Sequence, residues 1–303
     1  MSDVDVSVII PVHNRAHLIG DAIRSALNQD PGIRVEVIVI DDGSADGSAA
    51  AAQAVSPLVR VLRKDVAGGP AAARNMGLRI ARGRYIAFLD SDDVYLPNRL
   101  SSALAYFREH PEVAVVFAAT ENEKGEANFI LSSARHQTVY WANPLRELLS
   151  CGNPMLTLTV TVRADALKNC GYFDESLICT QDYELWLRLT EQGPFAHLNQ
   201  VVAVRRNSPK GQMTRREARL NPALVYRKAW QRANLSDDDK ARARPMYANY
   251  VTMHLRQILR ERDGRLMLEH LALFKEALGG IERLAWGMLA RLVCLCRLVS
   301  KGK

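Results

Sequence analysis

Cysteine is scarce in this chain, and none of it is spaced for binding a metal. The 303 residues include five cysteines, with no Cys-x-x-Cys pair and no cluster of histidine and cysteine that resembles a zinc site. An odd, scattered set of cysteines is typical of reduced thiols, so we expect a cytosolic compartment. The sequence therefore gives no support to a zinc site.

Long apolar runs are missing as well. No stretch reaches the roughly 18 apolar residues that a membrane-spanning helix needs. The amino terminus has no basic region before its first apolar run, and that run is too short for the core of a signal peptide. We therefore expect this run to form a strand, in a protein without membrane spans.

The common nucleotide-binding loops are also absent. The first apolar run is followed by neither a GxxxxGK[ST] loop nor a GxGxxG loop, which argues against P-loop enzymes and dinucleotide-dependent dehydrogenases. No GxSxG segment supports a Ser-His-Asp hydrolase. The net charge of +7 is modest and does not by itself indicate nucleic-acid binding. We accordingly expect no nucleic-acid partner.

Short apolar runs alternate with helical patterns through the first half of the chain. This βαβαβαβ order predicts an α/β fold with a mostly parallel sheet and helices on both faces. The predicted strands cover residues 6–10, 35–40, 58–62 and 85–89, and the predicted helices cover 16–28, 48–55 and 71–81.

Two of the predicted strands end in clusters of acidic residues, Asp41–Asp42 and Asp90–Asp93. Because parallel strands end at the same edge of a sheet, both clusters should lie on one edge, where open α/β folds bind their ligands. Carboxylates are hard oxygen ligands for Mg²⁺ or Mn²⁺, which would neutralise the phosphates of a nucleotide. A solvated acidic turn is the alternative for either cluster taken alone.

The second half of the chain is less regular. Alternation over Leu156–Val162 predicts a half-exposed strand, and a helix is predicted from Thr180 to Leu189. Further strands are predicted at 113–118 and 201–205. The pattern is helical and basic from about residue 216, so we expect a first domain over 1–215 and a helical extension over 216–303.

Five sequence blocks point in their order to a known family. They are Val6–Arg15, Val39–Ser44, Ala72–Gly77, Gly83–Asp93 and Gln181–Leu189. With these blocks the chain resembles the family 2 glycosyltransferases, inverting enzymes with the GT-A fold. The resemblance covers about residues 4–215. It implies a Rossmann-like, mostly parallel mixed sheet flanked by helices, with a nucleotide-binding half at about 1–120 and an acceptor half at about 121–215.

The resemblance implies roles on the nucleotide side of the site. Pro11 and Asp42 match positions that line the nucleoside pocket, and Asp42 is expected to accept a hydrogen bond from the base. Asp90 and Asp92 match the DxD motif, with Asp92 as the metal ligand and Asp90 near the ribose and diphosphate. Arg74 matches a position that faces the diphosphate. The implied cofactor is a divalent cation, Mn²⁺ or Mg²⁺.

The resemblance also implies that Asp182 is the general base, because it matches the second residue of the family's Glu-Asp pair. Gln181 replaces the glutamate of that pair, so one charge beside the base is missing. Asn207 replaces a histidine that often contacts the metal or the diphosphate. Metal binding is therefore expected to be weaker, or Arg205 and Arg206 to carry more of the diphosphate charge.

Several neighbouring residues have simpler explanations than direct catalysis. Asp41 is expected to make an Asx turn, and Asp93 to cap the helix that follows Leu96-Pro97. Trp186 is expected in the core, with the wall of the acceptor pocket as the alternative, and His13 is expected in a loop near the nucleotide.

The implied function is transfer of a single sugar from a nucleotide-sugar donor, most simply a UDP-sugar, to a glycan or lipid-linked acceptor in cell-surface polysaccharide biosynthesis. The sequence has no QxxRW segment, which argues against a processive synthase. A sugar-1-phosphate nucleotidyltransferase and a degenerate, non-catalytic transferase acting as an assembly partner are the alternatives. Residues 281–300 combine a basic stripe with apolar residues, so they either contact a membrane surface or pack on protein. The expected location is cytoplasmic, with peripheral contact at the inner face of the membrane.

Overall fold

A computed structural model of the chain describes residues 3–128, 138–206, 221–231, 235–260, 264–274, 277–278 and 286–290. The chain divides into two compact units. The first comprises residues 1–145 and 153–212, and the second comprises 146–152 and 213–303.

The first unit begins with the predicted alternation of strands and helices. Strands β1, β2, β3 and β4 pair in parallel, with β1 between β2 and β4 and with β3 on the far side of β2. The sequence-based prediction of a parallel sheet is therefore confirmed. These elements are β1 (Val6–Val12), α1 (Ile19–Leu27), β2 (Val35–Asp42), α2 (Ser48–Gln53), β3 (Val59–Lys64), α3 (Gly69–Ile80) and β4 (Tyr85–Phe88).

Strand β1 is apolar along most of its length because helices cover both of its faces. Val8, Ile9 and Ile10 are fully buried. Helix α3 packs closely on one face at Gly77, where an added Cβ would lie 2.8 Å from Cγ2 of Ile9. A larger residue at this position would push α3 away from the strand, and with it the residues that α3 carries toward the sheet edge.

The rest of the chain completes a mixed sheet and adds helices. The strand order is β3-β2-β1-β4-β9-β6-β10-β5, with β7 paired to β6 and β8 paired to β10. These further elements are β5 (Val94–Tyr95), α4 (Arg99–Glu109), β6 (Val115–Asn122), β7 (Ala127–Asn128), β8 (Val139–Trp141), α5 (Pro144–Cys151), β9 (Thr161–Arg163), α6 (Ala164–Cys170), α7 (Gln181–Leu189) and β10 (Phe195–Arg205).

The prediction of a half-exposed strand over residues 156–162 is wrong. Residues Thr157–Thr159 form a 3₁₀ turn, and only the end of the segment joins the sheet, as β9. The cause is Arg99 at the start of α4, a fully buried side chain. Its guanidinium donates to the carbonyl oxygens of Leu158 and Val160 at 3.2 and 2.8 Å, and to Oγ1 of Thr161 at 2.7 Å. These carbonyls therefore bond to a side chain instead of to a neighbouring strand.

The second unit is helical where the structure describes it. Its core includes stacked rings of Tyr226 and Tyr247, whose centroids are 5.3 Å apart. The Tyr226 hydroxyl donates to the carbonyl oxygen of Ala243 at 2.9 Å. Arg146 and Asp239 form an ion pair at 2.5 Å. The helices are α8 (Asn221–Trp230), α9 (Asp237–Arg260) and α10 (Gly264–Leu273).

None of the helices that the structure describes combines the length and the apolar character needed to cross a membrane. The segment 281–300, for which the sequence predicts either membrane contact or packing on protein, lies outside the described residues except for 286–290. That prediction, like the division of the chain at residue 215, stays a prediction.

Candidate active site

The parallel strands bring the acidic clusters to one edge of the sheet. In the register of the sheet, Pro11 pairs with Ile40 and Val12 with Asp41, so β1 and β2 end together. Strand β4 runs in the same direction, and Ile9 pairs with Phe88 two residues before Asp90. Pro11, Asp42 and Asp90 therefore lie at the carboxyl edge, which is where the sequence placed them.

Asp42 is buried and already holds three hydrogen-bond donors. Its Oδ1 accepts from Nζ of Lys64 at 2.7 Å and from the backbone N–H of Gly68 at 2.9 Å, and its Oδ2 accepts from the backbone N–H of Gly69 at 2.7 Å. A carboxylate has about four acceptor positions. One position thus remains for the nucleobase that the resemblance assigns to this residue. The two backbone donors attach the start of α3 to the end of β2, and Lys64 attaches the end of β3.

Gly43 makes the sharp turn that follows Asp42. Its φ is +71°, and an added Cβ would lie 2.9 Å from the backbone nitrogen of Ala67, so neither conformation nor space suits a side chain. The Ser44 N–H donates to Oδ1 of Asp41 at 2.9 Å, so the Asp41 side chain holds this turn through a bond three residues on, one residue further than in the expected Asx turn. His13 lies in the adjacent loop, and its Nδ1 is 2.8 Å from the carbonyl oxygen of Asp42.

Arg74 and Asp90 form the closest ion pair at this edge. Nη2 of Arg74 lies 2.6 Å from Oδ1 of Asp90, and the arginine side chain is 8% exposed against 37% for the aspartate. The guanidinium also lies over the ring of Phe173, 5.5 Å from its centroid. Its buried Nε has no hydrogen bond within the described residues. The arginine is thus held on two sides, and Asp90 faces outward from it.

Asp92 and Asp93 have different surroundings. Asp92 is 22% exposed, and its ion pair with Arg15 is long, with 4.0 Å between Oδ2 and Nε. Asp93 is buried, and its Oδ1 accepts the backbone N–H of Arg206 at 2.8 Å. Burial, followed by the charge of Asp90, raises the pKa of Asp93 to about 7. The expectation that Asp93 caps a helix is wrong, because α4 begins at Arg99 and Asp93 instead bonds to the end of β10.

Asp90 and Asp92 suit a divalent cation that takes its remaining ligands from phosphate oxygens and water. Among the described residues, no three His, Cys, Asp or Glu side chains form a metal cluster by themselves. Mg²⁺ and related ions at nucleotide sites commonly take one or two carboxylates and complete their shell with phosphate oxygens and water. Asp92, which is partly exposed and whose ion pair with Arg15 is 4.0 Å long, fits such a ligand, with Asp90 two residues before it.

Asp182 lies in the first turn of α7, as the sequence predicts. Its Oδ2 accepts from Nδ2 of Asn153 at 3.0 Å. Desolvation raises the pKa of the Asp182 carboxyl, while the backbone N–H of Tyr183, the positive charge of Arg74 and the Asn153 amide act in the opposite direction. Arg74, the ion-pair partner of Asp90, is thus also a group whose charge lowers the pKa of the Asp182 carboxyl against the effect of desolvation.

The side chain of Gln181 bonds to the backbone that precedes α7. Its side chain is buried, and its Nε2 donates to the carbonyl oxygens of Leu177 and Ile178, both at 3.1 Å. A carboxylate has no proton with which to make these bonds. The interpretation of Gln181 as a lost charge next to Asp182 is therefore replaced by a structural role that needs an amide.

The turn before α7 has an unusual backbone conformation. Thr180 has a φ of 58°, in the left-handed region, which is uncommon for a β-branched residue. Its carbonyl oxygen accepts the N–H of Glu184 at 3.0 Å, the first bond of α7. Its hydroxyl donates to the carbonyl oxygen of Cys179 at 2.6 Å. This conformation sets the direction in which α7, and therefore Asp182, enters the site.

An aromatic cluster lies beneath these polar groups. The ring centroids of Phe88 and Phe173 are 5.4 Å apart, and Trp186 lies 6.2 Å from Phe88 and 6.4 Å from Phe173. Trp186 is fully buried, which confirms its expected place in the core. Phe88 precedes the acidic cluster and Trp186 follows Asp182, so the three rings join the segments that carry the two sets of carboxylates.

Three polar residues of this region were not found from the sequence. Lys64 and Asn153 pair with Asp42 and Asp182 as described above. Asn75 donates to the carbonyl oxygen of Phe173 at 2.9 Å and accepts its N–H at 2.9 Å, which fixes the ring below Arg74. Asn75 lies inside the sequence block Ala72–Gly77, which could have drawn attention to it. Lys64 and Asn153 lie outside all five blocks.

Of the residues considered for contact with the diphosphate, Arg205 and Arg206 lie within the described residues. Asn207 lies outside the described residues. Nη1 of Arg206 bonds to Oδ2 of Asp21 on α1 at 2.9 Å, so in this structure its charge is directed to that helix. Arg205 is exposed at the end of β10.

Comparison with known proteins identifies the family. The model of Glycosyl transferase family 2 matches residues 7–170, more than half of the chain. The chain belongs to glycosyl transferase family 2. Chondroitin synthase of Escherichia coli is 34% identical over 199 residues, which are 65% of this chain and 28% of that protein. The succinoglycan biosynthesis protein ExoO of Rhizobium meliloti is 34% identical over 202 residues, 60% of this chain and 54% of that protein.

Solved structures share the fold of this chain. TarS of S. aureus, residues 1–349 in complex with UDP-GlcNAc, has a TM-score of 0.72 at 21% identity, over 97% of this chain and 87% of that one. The mannosyltransferase PcManGT of Pyrobaculum calidifontis, in complex with GDP-Man and Mn²⁺, has a TM-score of 0.60 at 18% identity, over 98% and 89%.

The predicted GT-A fold with carboxyl-terminal helices is confirmed by these comparisons. Family 2 is a family of enzymes of glycosyl transfer, so the sugar-1-phosphate nucleotidyltransferase alternative is set aside. The family 2 chain described here nevertheless spans only 28% to 54% of the two relatives named above.

Proposed function

We propose that this family 2 chain transfers a single sugar, with inversion, from a UDP-sugar to a saccharide or lipid-linked acceptor during assembly of a cell-surface polysaccharide. The observation that carries the proposal is the position of Arg74, which bonds to Asp90 and lies over the ring of Phe173, and that ring packs against Trp186 one turn after Asp182. The carboxylate proposed for the nucleotide and the residue proposed as the base are thus connected through this arginine and the rings beneath it. A cytoplasmic location, peripheral at the inner face of the membrane, remains a prediction from the sequence.

In this proposal Asp182 takes the proton of the acceptor hydroxyl as that oxygen attacks the anomeric carbon. Desolvation raises the pKa of its carboxyl, and a base whose pKa lies nearer to the working pH is more effective. One base acting on a direct displacement, without a covalent sugar intermediate, gives inversion at the anomeric centre.

The leaving diphosphate is assigned to the other side of the site. Asp92, with Asp90 beside it, would hold the divalent cation, which when bound neutralises the negative charge that develops on the departing phosphates. Arg74 orients Asp90 through the 2.6 Å ion pair. Asp42 and Pro11, at the ends of β2 and β1, would contact the nucleoside, with Asp42 using its remaining acceptor position.

The comparisons supply the support for the donor and acceptor classes. TarS was solved with UDP-GlcNAc, and PcManGT with GDP-Man and Mn²⁺, so both nucleotides belong in the test. The chondroitin synthase and ExoO relatives support a saccharide acceptor and a role in polysaccharide synthesis. We choose uridine because the neighbour with the higher TM-score carries it.

A thermal-shift screen of nucleotides tests the proposal directly. The protein is melted with UDP, GDP or neither, each with Mn²⁺ and with EDTA, beside the matched variant Asp92→Asn. We expect stabilisation by UDP that depends on Mn²⁺ in the native protein and loses that dependence in the variant. Donors that bind are then tested for transfer, and the anomeric configuration of the product is read by NMR. If no nucleotide stabilises the protein, the chain is a non-catalytic relative and the proposal is wrong.

A further inference from the structure

The segment Asn153–Met155 lies along the face of α7 that carries the proposed base. Nδ2 of Asn153 donates to Oδ2 of Asp182 at 3.0 Å, and Nε1 of Trp186 donates to the carbonyl oxygen of Met155 at 3.4 Å. Residues four apart on a helix share a face, so Asp182 and Trp186 present their side chains to the same segment. Two hydrogen bonds, one at each end, hold the segment against α7.

The orientation of the Asn153 amide is fixed by its second hydrogen bond. The backbone N–H of Met155 donates to Oδ1 of Asn153 at 3.2 Å. A backbone N–H can only donate, so the amide atom it meets must be the oxygen, and the NH₂ group therefore turns toward Asp182. The contact with the carboxylate is thus a donated hydrogen bond that stabilises the ionised form.

We propose that Asn153 is a positioning residue for glycosyl transfer, which holds Oδ2 of Asp182 and so fixes the plane in which this carboxylate presents its lone pairs to the acceptor hydroxyl. The inference rests on the proposed role of Asp182 as the base. A carboxylate that rotates freely offers its lone pairs in many directions, whereas one anchored oxygen fixes the plane of the other. The positive charge of Arg74 on α3 also lowers the pKa of the Asp182 carboxyl and so favours the ionised carboxylate.

Two variants separate this role from packing. Asn153→Ala removes both hydrogen bonds of the side chain. Asn153→Asp keeps the shape and an acceptor for the Met155 N–H, but it places an oxygen where the NH₂ group donated. Two carboxylates at this distance cannot both ionise readily, so the second variant changes the electrostatics of Asp182 while preserving the turn.

Asn122 provides a matched control. Its Oδ1 accepts the N–H of Lys124, two residues on, at 2.9 Å, and its Nδ2 donates to Oε2 of Glu126 at 2.7 Å. Asn122 therefore makes the same two kinds of bond as Asn153, on a turn whose hydrogen bonds are exposed. Asn122→Asp measures the general effect of placing an aspartate in such a turn.

The experiment measures kcat, donor KM, the pH profile of kcat and UDP affinity for the full chain and the three variants. We expect Asn153→Ala to lower kcat by about 10-fold or more, the usual effect of losing a hydrogen bond to a charged group. The acid limb of the profile should move to higher pH, because the lost donor favoured the carboxylate, and it should move further in Asn153→Asp. UDP affinity and the Asn122→Asp control should stay within twofold of the native values.

Each contrary outcome has its own meaning. If both Asn153 variants match Asn122→Asp in kcat and in the acid limb, Asn153 has no positioning role, while the proposed function stands. If kcat and UDP affinity fall together without a change in the pH profile, the residue is structural and the inference is again wrong. If the native protein transfers no sugar from any donor, the proposed function fails, and the inference fails with it.

Discussion

Arg74 places Nη2 2.6 Å from Oδ1 of Asp90, and its charge also acts on the Asp182 carboxyl from the same buried position. One arginine thus connects a residue assigned to the nucleotide with the residue assigned to the base. The side chain reaches this position because Asn75 fixes Phe173, and the guanidinium lies over that ring.

Arg74→Lys should weaken nucleotide binding. A lysine carries the charge but lacks the planar fork that bonds to Asp90 while lying over Phe173. We expect UDP affinity to fall by about 10-fold or more, as for loss of a charge-assisted hydrogen bond, measured by calorimetry with Mn²⁺ present. Arg79→Lys is the control, because Arg79 is an exposed arginine of the same helix with a 3.4 Å ion pair. Unchanged UDP affinity in Arg74→Lys would show that the planar fork is not needed.

Asp182→Asn should abolish transfer while leaving UDP binding intact. The amide cannot take a proton, and removal of a general base typically lowers the rate by about 10² to 10⁴-fold. Transfer and UDP affinity are measured side by side. Asp165→Asn is the control for loss of an acid from the first turn of a helix. A parallel loss of UDP binding in Asp182→Asn would mean that Asp182 supports the fold of the site instead of the chemistry.

Gln181→Glu should destabilise the protein, although it restores the glutamate that the family often has. The carboxylate would face the carbonyl oxygens of Leu177 and Ile178 without a proton to donate. An unsatisfied buried polar group costs about 1–3 kcal/mol of unfolding free energy, which denaturant titration resolves. Gln53→Glu, an exposed helix position, is the control. Equal stability of the two variants would disprove the structural role.

His197 should make the fold sensitive to acid. It is fully buried on β10, neither ring nitrogen has a hydrogen-bond partner within the described residues, and burial lowers its pKa from 6.5 to about 4. Between these values the unfolded chain binds more protons than the folded one, so stability is complete above pH 6.5 and is lost as the pH falls toward 4.

The difference between the two pKa values of His197 corresponds to a loss of about 3 kcal/mol of unfolding free energy as the pH falls from 6.5 to 4. His197→Leu should remove this part of the pH dependence, measured by denaturant titration between pH 4 and 7. His17→Gln changes an exposed histidine and should keep the native slope. A His197→Leu protein with the same acid sensitivity as the native one would contradict the prediction.

The sequence predicted the parallel part of the sheet because β1 to β4 are continuous apolar runs separated by segments with helical spacing. It failed at residues 156–162 because Arg99, more than 50 positions earlier in the chain, takes the carbonyls that a strand would have used. That contact is a property of the assembled fold, and no alternation of polar and apolar residues encodes it.

Likewise, only some residues of the candidate site could be predicted from the sequence. The aspartates could be found because they directly follow predicted strands or begin a predicted helix. Asn153 and Lys64 could not, because only the folded chain brings them to Asp182 and Asp42. Gln181 was misinterpreted because consecutive helical residues point in different directions, so its neighbour in sequence is not its neighbour in the site.

The cluster of Phe88, Phe173 and Trp186 determines how the site responds to heating. Its rings join the segment before Asp90 to the helix that carries Asp182, and Phe88 and Trp186 are fully buried. The alignment of the two carboxylates therefore depends on the same packing that keeps the first unit folded. Heating should then inactivate the site and melt this unit in a single event, without an intermediate that is folded but misaligned.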